Sequence, residues 1–269
     1  MSRVLPKPVH LLFVSAGHRT MSNPRTLVVA GSRAEAHIIE SYVGEGEYFT
    51  NAVTELALGE GAVIDHYKLQ CESAAASHIA TVQGFQERSS VFTSHSISLG
   101  GALVRNDINS TLNGPGCECT LNGLYIVGGE QHIDNHTALE HAMPHCASRE
   151  YYRGILSGRA TGVFNGKIIV RKDAQKTDAI QSNKNLLLSA EASINTKPQL
   201  EIYADDVRCT HGATVGQLDA EAMFYLRSRG ISADEARRVL ITAFASDVVD
   251  RVRVAPLRTE IERLVREKL

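Results

Sequence analysis

The 269-residue sequence lacks the short motifs that mark several common classes of enzyme. It contains no G-x-x-x-x-G-K-[ST] phosphate loop, no G-x-S-x-G nucleophile elbow, no C-x-x-C pair and no H-E-x-x-H zinc motif. The chain is therefore not itself a P-loop ATPase, and nothing in it identifies a self-sufficient catalyst.

The sequence also lacks an excess of charge of one sign and any long apolar run. Its net charge is −2 with acids and bases interspersed. This excludes an extended positively charged surface that would bind nucleic acid or an anionic membrane. No apolar run approaches the roughly 20 residues of a membrane span. The N-terminal "VHLLFVSAG" is short and has no small-residue cleavage pattern after it, so we interpret it as a strand. Five cysteines, an odd number, indicate reduced thiols and a cytoplasmic protein.

Residues 1–216 contain many short β-rich runs separated by small or polar turns. Several runs alternate apolar and polar residues, as at Leu200, Ile202 and Ala204. Two folds fit this pattern: an antiparallel sandwich or barrel, and a parallel β-helix with a loose repeat of about 20 residues. Asn-Gly pairs occur without clean strands on both sides, so the tight hairpin signal is nearly absent. This favours a β-helix core over residues 1–216.

Residues 217–269 change to helical periodicity. Asp219 is a plausible N-cap, Gly230 a stop signal, and Ser232-x-x-Glu235 a capping box. We predict a small helical domain of three helices, whose second and third helices carry apolar stripes. The stripes consist of Ala236, Val239, Leu240, Ala243, Phe244 and Val248, and of Leu257, Ile261, Leu264 and Val265. Such a domain cannot bury three apolar faces alone, so it packs on the β-domain, on another protein, or on both, and in the simplest case it caps the open end of the β-stack.

Cys209 and His211 stand where β-like sequence gives way to helical sequence, in "DDVRCTHGATVG". On a strand, residues at i and i+2 project from the same face. A thiolate and an imidazole suit iron, zinc or copper, but two ligands do not fill a coordination sphere. The alternative is a buried cysteine near a hydrogen-bonded histidine.

A second group of potential ligands lies in "EQHIDNHTALEHAMPHCASRE", residues 130–150. Its members are His132, His136, His141, His145 and Cys146, with Asp134 between the first two. Such a density of imidazoles and thiols indicates either a metal site or proton relay, or a polar ladder on a solvated face. The pair Cys117 and Cys119 has no obvious further ligands, and we interpret it as structural.

Longer phrases of the sequence resemble a known family. They include "YFTNAVTELALGEGA", "LNGLYIVGG", "DNHTALEHAMPHCAS", "GVFNGKIIVRKDAQKTDAIQSNKNLLLS" and "QLEIYADDVRCTHGATVGQLDAEAMFYLRSRGIS". From about residue 8 to about residue 252 the chain resembles the SufB/SufD family of the SUF iron–sulfur cluster assembly system. The phrases "CTHGATVGQLD" and "FYLRSRGI" favour the SufD branch of that family.

This resemblance implies a right-handed parallel β-helix flanked by helical segments. It implies a non-enzymatic scaffold that pairs with SufB, binds the ATPase SufC through its C-terminal helices and contributes to iron acquisition. Cys209 and His211 would then lie at the SufB interface and hold iron or a transient cluster shared with SufB, with none tightly bound to the isolated chain. The expected SufC-docking residues are Phe224, Tyr225, Leu226, Val239, Leu240 and Phe244.

Three further expectations follow. SufD proteins carry an N-terminal helical region that this chain, which starts almost at "KPVHLLF", is expected to lack. A homodimer is a possible state of the chain when alone. The alternatives from other classes are a β-helix carbohydrate-active enzyme, such as a lyase, and a self-contained metalloprotein that uses the His132–Cys146 group.

Overall fold

The computed structural model describes residues 3–269 and shows a parallel β-helix. Strands account for 55% of the chain and wind through about seven turns, with three helices at the C-terminus. Every strand pair in the described chain is parallel. The predicted β-helix is therefore confirmed, and the antiparallel sandwich or barrel is wrong.

The strands alternate between two sheets, which we call the front and the back sheet. The front sheet contains β1 (Arg3–Val4), β2 (Val9–Ala16), β5 (Ala34–Glu45), β7 (Val63–Cys71), β9 (Val91–Ser98), β11 (Glu118–Val127), β13 (Ala147–Leu156), β15 (Asp178–Leu187) and β17 (Arg208–Gly216). The back sheet contains β3 (Thr20–Ser22), β4 (Arg25–Ala30), β6 (Tyr48–Leu58), β8 (Ser77–Gln86), β10 (Leu103–Leu112), β12 (His132–His141), β14 (Thr161–Val170) and β16 (Ser193–Ile202). One turn of the coil supplies one strand to each sheet.

The length of one turn differs from the prediction. Leu103 pairs with His132, and His132 pairs with Thr161. Each of these turns therefore contains clearly more residues than the predicted repeat of about 20. The predicted repeat of about 20 residues, which is typical of shorter solenoid repeats, is therefore wrong. The reason is that each turn holds one strand of the front sheet, one strand of the back sheet and the two bends that join them.

An apolar core fills much of the space between the two sheets. Leu56, Phe92, Leu121, Leu139 and Phe164 are all at most 1% exposed and belong to one contiguous cluster. Full burial of such side chains contributes about 1.5–3 kcal/mol each. These inward residues alternate with outward, partly exposed ones, as the period of two in a strand requires.

The C-terminal residues form α1 (Ala220–Ser228), α2 (Ala233–Val249) and α3 (Ala255–Lys268). The Asp219 carboxylate accepts hydrogen bonds from the backbone N–H groups of Glu221 and Ala222, and Ser232 Oγ accepts one from Glu235 N–H. Both predicted N-caps are thus present. None of the described helices is long and apolar enough to cross a lipid bilayer.

Helices α2 and α3 pack on the outer face of the front sheet and not on the open end of the coil. Their residues Ile241, Val248 and Ile261 share a cluster with Tyr67 and Leu124 of the sheet. The loop between the helices is also held there, since Arg253 Nη1 lies 3.3 Å from the buried carboxylate of Asp65.

The predicted stripe of α3 faces the sheet, but that of α2 is wrong in part. Val239 is 45% exposed and Ala243 is exposed, whereas Ile241, Ala245 and Val249 are buried. Apolar residues surround much of α2, so its periodicity fits two adjacent faces, and contact with the sheet selects one of them.

Candidate functional site

Strand β17 is the last strand of the front sheet and pairs only with β15 within the described residues. In this register Cys209 lies beside Ala179, and His211 lies beside Gln181. Ala179 and Gln181 are both buried in the interior of the coil. Residues in register on parallel strands share a face, so Cys209 and His211 lie on the interior side of a coil end that no described strand covers.

The two side chains differ in their exposure. Cys209 is half-buried and packs against a small apolar cluster that includes Ile168 and Ala179. Burial raises the pKa of its thiol, so the sulfur carries a proton at neutral pH. His211 is exposed. The structure thus presents a sheltered thiol and an accessible imidazole on one side of the terminal strand of the front sheet.

These two donors suit a soft or borderline metal but do not complete a coordination sphere. The described residues contain no group of three or more His, Cys, Asp or Glu side chains that could hold a metal ion. Cys209 and His211 thus have no third His, Cys, Asp or Glu beside them among the described residues.

The histidines of the 130–150 group are directed to different sides of the coil. His132 and His136 lie on the outer face of the back sheet, where His132 Nδ1 is 2.6 Å from Thr161 Oγ1. His136 Nε2 is 2.9 Å from Asp134 Oδ1, and Arg105 Nη1 donates to Asp134 Oδ2 at 2.6 Å. This part of the group is a hydrogen-bonded polar ladder.

The remaining members of that group lie elsewhere. His141 points into the coil, where its Nε2 is 2.9 Å from Ser148 Oγ and burial lowers its pKa to about 4. His145 occupies a turn with a left-handed backbone (φ 61°). The buried Cys146 thiol donates to the carbonyl of Gly114 at 3.3 Å. The structure therefore does not bring the five candidate ligands together.

Cys117 and Cys119 are both buried. The Cys117 thiol donates to the Glu87 carbonyl at 3.0 Å and so helps to hold a turn. Burial raises the pKa of Cys119 far above its usual value, which leaves this thiol protonated. Neither sulfur is part of an open site, in agreement with the structural interpretation.

The residues expected to bind SufC lie on α1 and α2. Phe224 is 75% and Tyr225 57% exposed, and Leu226 is half-buried. Leu240 and Phe244 are half-buried and line a groove of about 300 Å³ beside the C-terminal end of β17. Only the three residues Gln217–Asp219 connect β17, which carries Cys209 and His211, to α1, where this helical surface begins.

Sequence reasoning missed a set of buried polar residues inside the coil. The Lys68 ammonium donates to Asn106 Oδ1 at 2.6 Å, and burial lowers its pKa to about 8. His66 lies 3.4 Å from Glu40 Oε2; although burial opposes ionisation, the hydrogen bond and charge of His66 bring the Glu40 pKa to about 2. The sequence pattern that could have revealed them is a polar residue at every second position of a β-rich run, as in "AIQSNKNL".

Comparison with known families gives a match over most of the chain. Residues 13–244 match the model described as SUF system FeS cluster assembly, SufBD core domain. The chain belongs to the SufB/SufD family. Membership supports a role in iron–sulfur cluster assembly and confirms the family predicted from the sequence.

Individual relatives agree with this assignment. An iron-sulfur cluster assembly SufBD family protein of Synechocystis is 38% identical over 97% of this chain and 60% of its own length. SufD of Escherichia coli is 38% identical over 88% of this chain and 56% of its own length. The chloroplastic protein ABCI7 of Arabidopsis thaliana is 38% identical over 86% of this chain and 50% of its own length. The chain thus spans between half and three fifths of the length of these relatives.

Proposed function

We propose that this chain is a non-catalytic scaffold subunit of a SUF assembly complex, and that it supplies Cys209 and His211 to a cluster site shared with a SufB partner. The observation that carries the proposal is the position of these two residues together on the interior side of the terminal strand, which pairs with β15 at one edge only among the described residues. In a family that assembles iron–sulfur clusters, a thiol and an imidazole at an open surface are suitable donors for iron.

The free edge of β17 provides a means of pairing with SufB. An exposed strand edge carries unpaired backbone N–H and C=O groups and is a template for a strand of another chain. Pairing there would place the partner's ligands over Cys209 and His211. In the absence of SufB, a second copy of the chain could occupy the same edge and form a homodimer.

The donors determine how iron would be held. The Cys209 thiol must lose its proton and His211 must be neutral before either binds a metal, so binding weakens as the pH falls. With two ligands only, the isolated chain is expected to hold iron or a cluster weakly. The five cysteines are free thiols, which suits the reducing cytoplasm.

We further propose that residues 1–216 form the SufB-pairing core and residues 217–269 the SufC-docking domain. Phe224, Tyr225 and Val239 expose apolar surface, which such a contact would cover. Because three residues join β17 to α1, an ATP-driven movement of SufC could pass through residues 217–252 to the SufB interface.

The site is tested by His211→Ala and Cys209→Ser in the complex reconstituted with SufB and SufC, with cluster formation followed by absorbance under anaerobic conditions. We expect both variants to lose most of the cluster. His132→Ala is the matched control, because His132 lies on the outer face of the coil, and it should assemble clusters normally. Undiminished assembly with His211→Ala would rule out the proposed site.

The docking surface is tested by point substitution and not by deletion. Removal of residues 217–269 would uncover the apolar front-sheet residues Tyr67, Ile97 and Leu124 and would damage the fold. Phe224→Ser combined with Tyr225→Ser changes exposed residues only and should abolish SufC binding in a pull-down while SufB binding persists. Retained SufC binding would locate the docking surface elsewhere.

A further inference from the structure

A line of polar residues inside the coil ends at His211. His211 is in register with Gln181 on β15, and Gln181 is in register with Glu150 on β13. Gln181 is 1% and Glu150 0% exposed, and both point into the coil. Adjacent strands lie about 4.8 Å apart, so Gln181 is the nearest residue in register beneath His211 on this side of the sheet.

Glu150 fixes the orientation of the Gln181 amide. Gln181 Nε2 donates to Glu150 Oε2 at 2.6 Å, and Thr137 Oγ1 donates to the same oxygen at 3.3 Å. The back sheet confines the amide as well, because a Cβ at Gly166 would overlap Gln181 Nε2. With its N–H₂ group directed to Glu150, the amide has its carbonyl oxygen available on the other side.

That oxygen is unsatisfied. Gln181 Oε1 has no hydrogen-bond partner among the described residues although it is buried. A buried acceptor without a partner costs about 1–3 kcal/mol, and such groups are few in native proteins. The next side chain in register on the side away from Glu150 belongs to His211, which carries a ring N–H that could satisfy it.

We propose that Gln181 is a positioning residue for His211: its Oε1 accepts the hydrogen bond of one ring N–H, and Glu150 holds the amide in the orientation that this requires. The other ring nitrogen is then left with its lone pair directed to the open end. Histidines that bind metals usually donate their second ring N–H to an oxygen, which fixes both the tautomer and the ring orientation.

The use of an amide at this position is chemically significant. A carboxylate beside the ring would favour the imidazolium, which cannot bind a metal, whereas an amide orients the ring without favouring its charged form. Glu150 Oε2 can accept from Gln181 whether or not Glu150 is ionised, so the arrangement does not depend on its protonation state. The metal part of this inference rests on the proposed function, but the hydrogen bond does not.

The hydrogen bond is tested on the isolated, metal-free chain with ¹⁵N-labelled histidine. Long-range ¹H–¹⁵N spectra at pH 8 report the tautomer of each neutral ring, and His211→Gln identifies the His211 signals. A hydrogen bond of ordinary net strength biases the tautomer ratio by about fivefold. We expect this bias in the wild type and its loss in Gln181→Met and Gln181→Leu. Circular dichroism shows whether each of these two variants is folded, and only a folded variant is used for the comparison.

Two further variants separate positioning from general disruption. Glu150→Gln keeps an acceptor oxygen for Gln181 Nε2 and should keep the bias, whereas Glu150→Leu should reduce it. Asn183→Leu is the matched control: Asn183 is equally buried in the same strand but is in register with Ala213. This control should leave the His211 tautomers unchanged.

Cluster assembly with SufB and SufC gives the second readout. Loss of such an outer partner typically costs 10–100-fold in metal affinity, so Gln181→Met should slow assembly by about this factor. A tautomer ratio that Gln181→Met leaves unchanged overturns the inference, whatever the assembly rate. A changed ratio with normal assembly overturns the positioning role at the cluster site. Normal assembly with His211→Ala would instead overturn the proposed function.

Discussion

Glu150→Gln is the change whose effect on stability the structure predicts in most detail. Glu150 lies fully inside the coil, its Oε1 has no hydrogen-bond partner among the described residues, and burial raises its pKa to about 7. A carboxylate in such surroundings lacks the solvation that it has in the unfolded chain. Glutamine has nearly the same shape, keeps an oxygen for Gln181 and Thr137, and never ionises.

The sign and size of the change in unfolding free energy follow from the linkage between protonation and folding. Because the folded-state pKa of Glu150 is raised above its ordinary value of 4.5, its contribution to stability is fully present below pH 4.5 and is lost as the pH rises through 7. The difference of about 2.5 units, at about 1.36 kcal/mol per unit, gives about 3 kcal/mol. Relative to the wild type, Glu150→Gln should therefore gain about 3 kcal/mol in unfolding free energy between pH 4.5 and pH 8.

The assay is urea unfolding of both proteins from pH 4.5 to pH 8.5, followed by far-UV circular dichroism. Other titrating groups affect both proteins equally, so the difference in unfolding free energy isolates Glu150. Glu55→Gln, at an exposed position on the back sheet, is the control and should show no comparable change. A difference between Glu150→Gln and the wild type that is independent of pH, or that falls as the pH rises, would refute the reasoning.

Three other predictions concern packing and caps. Ile261→Ala removes a buried contact between α3 and the front sheet and should cost about 2–5 kcal/mol in urea unfolding, whereas Val239→Ala at an exposed position should stay within about 0.5 kcal/mol. Gly123→Ala should lower the melting temperature because its Cβ would overlap the Tyr152 ring, but Gly212→Ala meets no atom within 4 Å and should not. Asp219→Ala removes two N-cap hydrogen bonds and should cost about 1 kcal/mol, measured by urea unfolding.

The fold was predictable because its determinants are local. Alternating residues mark strands, and the near absence of tight hairpin signals argues against antiparallel pairing. The caps at Asp219 and Ser232 were predictable for the same reason. The number of residues in one turn was not predictable from the sequence. The stacking of backbones defines the repeat, whereas the side chains in successive turns differ.

The candidate site was predictable only where its residues are close in sequence. Cys209 and His211 share a face because they stand at i and i+2 on one strand. Gln181 is a full turn of the coil away from His211 along the chain, and Glu150 is a further turn away from Gln181. Only the register of the coil places them in one line, and no local pattern encodes that register. The ligand-rich stretch from His132 to Cys146 shows the converse, since closeness in sequence there does not produce closeness in space.

The composition of the last turn explains how a coil end can stay accessible until a partner arrives. An open end with large apolar side chains would expose the core and favour aggregation. On β15 three of the buried positions are instead polar, namely Gln181, Asn183 and Asn185, and Asn185 Nδ2 donates to Asn183 Oδ1 at 2.6 Å. This polar row lies directly beneath β17 near the open end, and it supplies the oxygen that accepts from His211 in our proposal. The same residues therefore account for an end that is open and for an imidazole that is oriented there, which a purely apolar core could not provide.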